Sequence, residues 1–350
     1  MTYKFKENIT HSEYEKFIKR RTDISYMQED NWAKAKNIKK TLLVGIEDKS
    51  GICAVAHILI NKIKGGKQLL IPNGYILDFT NKGLLDFMTD NIKKLAKKYR
   101  AYIVDIYPNI TNRNMNYDDI HNNLISLNYK YKKEYIDNTD NIIIPLKKNN
   151  KKIAKNELKR KYSNEDFYLK RGIYFEVTNN LENVKRIKEL VNKPYFNENT
   201  VKGLIKNYNN RINMLFAKLD LVYYLNFLRE NNGSNDEINK ISELLTISDE
   251  IDIGCALIIE PYKYGDCELI YNVEKESFEN LDILNGLLYE TMKISNKKNY
   301  ENIKISNLNL DCDKIIKKYN GYCIEYIGHY SIVINKFKYF FNKPIIIRKR

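Results

Sequence analysis

The sequence predicts a mixed α/β chain of the α+β kind, folded as two domains with a short helical hairpin inserted in the second. Three observations carry this expectation. Strand-like apolar runs are joined by hairpin signals, amphipathic stretches of helical period lie between them, and the pattern restarts after a basic, asparagine-rich stretch at Lys147–Lys161. A length of 350 residues suits two domains of ordinary size, or one domain with an insertion.

The first half reads in order as follows. Ser25-Tyr26-Met27-Gln28 is extended in character and runs into a helix start that carries Trp32 and, four residues later on the same face, Lys36. Leu42–Ile46 and Ile52–Lys62 are strands, and Gly65-Gly66 turns the second into Gln68–Ile71. The turn-rich stretch from Pro72 to Thr80 leads to a helix over Lys82–Lys98, where Leu84, Leu85, Met88, Ile92, Leu95 and Ala96 keep a period of about 3.6. Tyr102–Tyr107 is a buried-type strand stopped by Pro108, Tyr117–Ser126 a short helix, and Tyr129–Tyr135 and Ile142–Leu146 are strands.

After the basic stretch come a strand at Gly172–Thr178, helices at Leu181–Asn192 and Thr200–Tyr208, and a strand at Asn213–Lys218. Leu221–Glu230 and Asp236–Ile247 are helices on either side of Asn231-Asn232-Gly233-Ser234-Asn235, the second capped by Asn235 or Asp236. Strands follow at Ile253–Ile259 and Glu268–Val273, a helix at Leu281–Ser295, and strands at Asn302–Ser306, Tyr322–Ile327 and Ser331–Ile334. The expected domains are 1–147 and 148–350, with the inserted arm at 220–250. The two halves share an order of strand pairs, helix, strand without repeating at the residue level.

Composition bounds the function. The formal net charge of +15 favours polyanionic partners, whether nucleic acid, anionic headgroups or phosphorylated substrates. Five cysteines without a CxxC read as reduced thiols, and four histidines without an HExxH leave no metal site expected. The first residues lack the apolar core of a signal peptide and no run approaches the roughly 18 apolar residues of a membrane span. The expectation is a soluble, cytoplasmic protein, able to touch a membrane surface through Phe337–Phe341 and the basic end Arg348-Lys349-Arg350.

Familiar catalytic signatures are missing. There is no Walker loop, no GxGxxG after a strand and no GxSxG elbow, and Gly65-Gly66 lacks the lysine and serine of a phosphate loop. No glycine-containing loop suited to the pyrophosphate of acetyl-CoA stands out, which disfavours a plain acetyltransferase. What remains is chemistry without cofactor or metal, carried by orientation and a few charged groups.

Four segments in order resemble the Fem family of aminoacyl-tRNA-dependent peptidyltransferases, which add cross-bridge amino acids to peptidoglycan precursors. Tyr26-Met27-Gln28 with Trp32-Ala33-Lys34-Ala35-Lys36 resembles the N-terminal signature. Ile71-Pro72-Asn73-Gly74-Tyr75-Ile76-Leu77-Asp78-Phe79 resembles "I-P-R-G-P-x-x-D-Y". Val104-Asp105-Ile106-Tyr107-Pro108 is similar to the "R-x-D-P" strand end. Tyr319-Asn320-Gly321, Glu325-Tyr326-Ile327-Gly328 and Val333-Ile334-Asn335-Lys336 are similar to "F-N-G…E-Y-I-G-x-x-D-x-x-I-N-K".

The resemblance implies two tandem acetyltransferase-like domains, with Leu221–Ile247 as a shortened form of an arm proposed to meet tRNA. It also implies partners: an aminoacyl-tRNA and a lipid-linked or UDP-linked muropeptide precursor. On residue chemistry alone, Trp32 is core and Lys36 a surface lysine; the resemblance makes Lys36 the anchor of the precursor's diphosphate, with Trp32 packing beside it. It places Asp78 and Asp105 near the acceptor, against structural roles as cap or turn residues. Tyr75 and Arg211 are further substrate-binding candidates. Three departures accompany these matches. Asn73 and Tyr75 replace arginine and proline, Arg211 is a substitute for an arginine expected earlier, and the first lysine of "F-K-K-G-F/Y-N" falls on Ile316 with Lys317 as neighbour.

The implied reaction is aminolysis of the ester joining an amino acid to tRNA. The ester is already activated, but the attacking amine must be neutral, which costs roughly 4.6 kcal/mol at pH 7 for a lysine-like amine. Asp105 or Asp78 would accept the proton and Lys317 or Arg211 would stabilise the oxyanion. The rival readings are a Fem-like transferase acting on a non-cell-wall peptide or small molecule, and a noncatalytic relative that binds tRNA or precursor.

Overall fold

The computed structural model describes residues 2–133, 141–146, 165–190, 197–262, 265–306 and 312–342, so the basic stretch Lys147–Lys161 and the end Arg348-Lys349-Arg350 lie outside the described residues. The chain divides into two compact units, Met1–Asn138 with Ile324–Arg350, and Thr139–Cys323. The expected division gave all of 148–350 to the second domain; the final segment instead belongs to the first unit.

In the first unit the elements are β1 (Lys4–Lys6), α1 (His11–Ile18), a 3-10 turn at Tyr26–Gln28, α2 (Asp30–Ala35), β2 (Thr41–Asp48), β3 (Gly51–Ile63), β4 (Gly66–Ile71), α3 (Lys82–Lys98), β5 (Ala101–Ile106), α4 (Tyr117–Ser126) and β6 (Lys130–Lys132). In the second they are β7 (Asn141–Pro145), α5 (Glu165–Leu169), β8 (Ile173–Thr178), α6 (Val184–Leu190), α7 (Glu198–Tyr208), β9 (Ile212–Asp220), α8 (Leu221–Glu230), α9 (Asn235–Leu245), β10 (Glu250–Ile259), β11 (Asp266–Glu274), α10 (Ile283–Lys297), β12 (Asn302–Ile305), α11 (Cys312–Tyr319) and β13 (Tyr322–Ile324). β14 (His329–Val333) and α12 (Lys336–Phe341) close the described chain.

Each unit holds one mixed sheet. The first runs β1-β2-β3-β4-β5-β14-β6 and the second β13-β7-β12-β11-β10-β9-β8. In both, an antiparallel meander leads through a crossover helix into a parallel strand: β4 to β5 through α3, and β11 to β12 through α10. The strand beyond that pair comes from a distant part of the chain, β14 in the first sheet and β7 in the second. The resemblance of the two halves thus lies in sheet order, where residue-level comparison shows nothing.

α3 forms where the period predicts. Asn81 accepts from Leu84 N at 3.0 Å, Lys97 and Lys98 lie at the negative end of the helix, and Leu84, Leu85, Met88, Ile92, Leu95 and Ala96 are buried against the sheet. Each large apolar side chain so covered contributes about 1.5–3 kcal/mol. α8 and α9 form the expected hairpin, but Ser234 caps α9, accepting from Glu237 N, in place of Asn235 or Asp236. Leu221, Tyr224, Leu225, Leu228 and Ile241 belong to the core of the second unit, so the hairpin lies on its own body. α1 was not anticipated, although Thr10 and Glu13 form a reciprocal capping box. No helix among the described residues is long and apolar enough to cross a membrane.

Gln28 ties the start of the chain to the sheet. Tyr26–Gln28 is a 3-10 turn capped by Ser25, not an extended stretch. The fully buried Gln28 amide donates to Pro72 O, its Oε1 accepts from His57 N at 3.2 Å, and its carbonyl accepts from Tyr14 Oη at 2.8 Å. Beside it Asn73 Nδ2 donates to Ser25 Oγ at 2.6 Å. A Cβ on Gly74 would stand 2.7 Å from the Gln28 side chain, which explains glycine there. Gln28→Leu strands the Pro72 carbonyl and the His57 amide in the interior, so we expect a loss of about 2–4 kcal/mol in urea unfolding, against under about 0.5 for an exposed substitution such as Lys16→Leu.

His57 is fully buried, with both ring nitrogens lacking hydrogen-bond partners among the described residues and Asp30 Oδ1 3.9 Å from Nε2. Burial pushes the imidazole down from 6.5 to about 4, against the weaker pull of Asp30 and with the small repulsions of Lys34 and His11. Between those values the unfolded chain binds a proton that the folded chain refuses. The stability is therefore fully present above pH 6.5 and declines as pH falls toward 4, by about 3 kcal/mol in all. A His57→Leu variant should show a flatter Tm between pH 7 and 4.5 than the parent; an equal slope would place the titration elsewhere.

Candidate functional site

Strand β5 is buried along its whole length and is apolar except for Asp105, whose carboxylate is 3% exposed. A buried charge survives only with donors around it. The sheet supplies them from both neighbours. Ser331 on β14 pairs directly with Asp105, and Gln68 on β4 lies two residues from Leu70, the Asp105 partner on that side. Asp105 Oδ1 accepts from Ser331 Oγ at 2.5 Å and from His329 Nε2 at 2.7 Å, while Oδ2 accepts from Gln68 Nε2 at 2.5 Å. Burial raises the Asp105 pKa, but the bonds from His329, Ser331 and Gln68 outweigh it and hold the carboxyl below its ordinary value.

An ionised Asp105 fixes the imidazole. Two acceptors cannot face each other at 2.7 Å, so Nε2 carries the hydrogen and Nδ1 keeps its lone pair. Nδ1 has no hydrogen-bond partner among the described residues and is not sealed from solvent. Tyr107 stacks on the ring at 4.5 Å and 6°, which prevents it from turning. Ser331 is not placed as a nucleophile. It is 3% exposed and meets Nε2, at 3.0 Å, whereas a nucleophilic triad puts serine and carboxylate on different ring nitrogens. The arrangement is an oriented base, not a hydrolase triad.

The expected residues fall in different places. Trp32 is half-buried on α2, short of the core expected of it, and Lys36 follows as the residue ending that helix, its N–H still bonded to Trp32 O at 3.0 Å. The Lys36 ammonium is exposed and unpaired among the described residues. Asp78 is exposed and accepts from Thr80 N and Oγ1, at 2.9 and 2.6 Å, which with Arg21 nearby lowers its pKa. Asn81, not Asp78, caps α3, and Asp78 shares no bond with Asp105. Tyr75 enters the core, 2% exposed, with its hydroxyl 2.7 Å from that of Tyr129, so packing replaces the expected contact with substrate.

In the second unit, Arg211 donates through Nε and Nη2 to Glu260 O, at 3.0 and 2.8 Å, and lies 3.7 Å from the Tyr262 ring centroid. Lys317 is exposed near the end of α11. Ile316 is partly buried against the apolar core, so no charge stands at that position. Burial lowers the pKa of the neighbouring Lys318, whose Nζ lies 5.4 Å from the Tyr319 ring centroid.

His329, Ser331, Gln68 and Tyr107 were not among the expected site residues. One signal was available. His329 and Ser331 lie two apart in a strand inside the C-terminal segment that carried the resemblance, and Ser331 stands where the family string has its aspartate. The segments also prove to be joined: Gln28 to Pro72, Tyr107 N to Ile71 O at 3.1 Å, and Asp105 to His329.

Comparison with known proteins bears on this arrangement. The FemAB family model matches residues 9–143. Lipid II:glycine glycyltransferases of Staphylococcus haemolyticus (strain JCSC1435) and Staphylococcus aureus (strain bovine RF122 / ET3-1) are each 28% identical to the chain, over 53% of it and 46% of their own length. The chain thus spans about half the length of the curated relatives it matches. In fold it is similar to the crystal structure of FemX, with a TM-score of 0.75 at 18% identity over 97% of this chain and 99% of that one. A tandem GNAT protein from the clavulanic acid biosynthesis pathway follows with a TM-score of 0.57 at 6% identity, over 95% and 99%. Those two likenesses establish a tandem GNAT-like fold. Over residues 9–143, then, the chain is similar in sequence to the FemAB family.

Proposed function

We propose that the chain is an aminoacyltransferase that moves an amino acid from aminoacyl-tRNA to an amine of a peptidoglycan-precursor stem peptide. The names of the glycyltransferase relatives support a lipid-linked acceptor over a UDP-linked one. The observation that carries the reading is the Asp105–His329 pair, whose Nδ1 has no hydrogen-bond partner among the described residues. Aminolysis of an activated ester needs no enzyme nucleophile but does need a proton acceptor beside the amine. His329 Nδ1 is that acceptor, and Asp105 is a positioning residue that holds the tautomer and offsets the imidazolium charge.

The amine nitrogen attacks the ester carbonyl and its proton passes to His329. The bond to the ribose 3′ oxygen then breaks, and that oxygen leaves with a proton. Lys36 anchors the diphosphate of the acceptor with its unpaired ammonium, beside the half-buried Trp32. Asp78 holds the turn ahead of α3 at the acceptor side. In the second unit Lys317 and Arg211 are the candidate cations for negative charge on the substrates, and no cofactor is required. The apolar setting of Ile316 favours one second reading: a Fem-like transfer to an acceptor other than the usual precursor.

The test is transfer from charged tRNAs to a labelled lipid-linked precursor, a UDP-linked precursor and free peptides. The proposal expects tRNA-dependent product with a precursor; product with peptides alone supports the second reading, and no tRNA-dependent product with any acceptor contradicts both. His329→Gln should lower kcat at pH 7 by about 10²- to 10⁴-fold, with a gap that narrows as alkaline pH deprotonates the amine. A kcat within about threefold of the parent removes the base. Lys36→Ala should raise the acceptor KM about tenfold with little change in kcat.

A further inference from the structure

The helix α12 turns an aromatic face outward. Phe337, Phe340 and Phe341 are 74%, 71% and 65% exposed, and their spacing puts them on one side of the helix. The Phe337 and Phe341 ring centroids are 4.7 Å apart, and those of Phe340 and Phe341 5.5 Å, so the rings form one patch. Its footing is built. Asn335 caps the helix by accepting from Lys338 N at 2.9 Å, and Ile334 N and Asn335 N both donate to Tyr102 O. Tyr339 faces inward under Lys130 Nζ at 5.2 Å, and Asn342 fills the space over Gly65 in the β3–β4 turn.

Three stretches therefore meet around the patch: 61–67 at the turn, 128–133 at the β6 edge and 335–342 itself. They carry the exposed lysines Lys62, Lys64, Lys130, Lys133, Lys336 and Lys338 and not one Asp or Glu. None of these six is ion-paired among the described residues. Three exposed phenyl rings ringed by unneutralised ammonium groups match the boundary between anionic headgroups and acyl chains: the rings enter the apolar layer and the lysines stay among the phosphates. A nucleic-acid backbone would use the lysines and leave the contiguous rings unsatisfied.

We propose that α12 and its lysine border dock the protein on a bilayer surface rich in anionic phospholipid. This goes beyond the transferase reading and stands without it, because vesicle binding needs neither tRNA nor acceptor. The test is co-sedimentation of the full chain with vesicles of phosphatidylcholine alone and mixed with phosphatidylglycerol. The parent should bind the mixed vesicles at least about tenfold more tightly, and lose that preference in high salt. The combined Phe337→Ser, Phe340→Ser, Phe341→Ser variant should lose about tenfold or more in partitioning, and Lys336→Glu with Lys338→Glu roughly fivefold per position, with far-UV circular dichroism and Tm unchanged. The proposal is overturned if the parent does not bind mixed vesicles or shows no preference for them. It is equally overturned if the folded serine variant binds like the parent, or if that variant loses affinity for tRNA while vesicle binding stays.

Discussion

A carboxylate buried in the middle of an apolar strand has to be answered by donors, and the donors to Asp105 come from both neighbouring strands. Gln68 comes from β4, His329 and Ser331 from β14. The first of these strands lies before the crossover helix and the second near the far end of the chain. Asp105 therefore does two things at once. It marks the register in which the C-terminal strand joins the first sheet, and it sets the proton on the imidazole it holds. An apolar residue there would leave three donors without an acceptor in the interior, so the carboxylate is part of the fold as well as of the site.

The same economy links the other segments that carried the resemblance into one connected structure. Gln28 fastens the N-terminal turn to Pro72, Ile71 receives the amide of Tyr107, and Tyr107 stacks on His329. The segment carrying Trp32 and Lys36 is anchored at one end of that series and the oriented imidazole stands at the other. The proposed aminolysis, with no covalent enzyme intermediate, calls for a cation to hold an anion and a fixed base for an amine, and these two ends are where the proposal places them.

Periodicity made most of the fold legible. α3 and α8 begin and end where apolar spacing and caps predict, and β2, β3 and β5 differ only at their ends. What period could not show is which strands become neighbours. That β14 returns to β5, and β7 to β12, depends on partners more than a hundred residues away. The site was legible in part for the same reason. Asp105 was singled out through the resemblance of its strand end to the family string, a signal that can be read in one dimension. His329 was not, because its meaning arises only when β14 lies against β5. Tyr75 was misjudged because an aromatic in a turn-rich segment looks available, whereas here its ring completes the core and its hydroxyl is satisfied by Tyr129. The aromatic stretch at Phe337–Phe341 was noticed for its composition, but its lysine border is assembled by the turn after β3 and the edge at β6.

The tautomer of His329 tests the account most directly. Nitrogen chemical shifts of the labelled full chain, at a pH where the imidazole is neutral, report which ring nitrogen carries the hydrogen. Asp105 requires protonated Nε2 and unprotonated Nδ1, and Asp105→Asn should release the ring toward a mixture of forms. A hydrogen found on Nδ1 in the parent, or a mixture unchanged by Asp105→Asn, would contradict it.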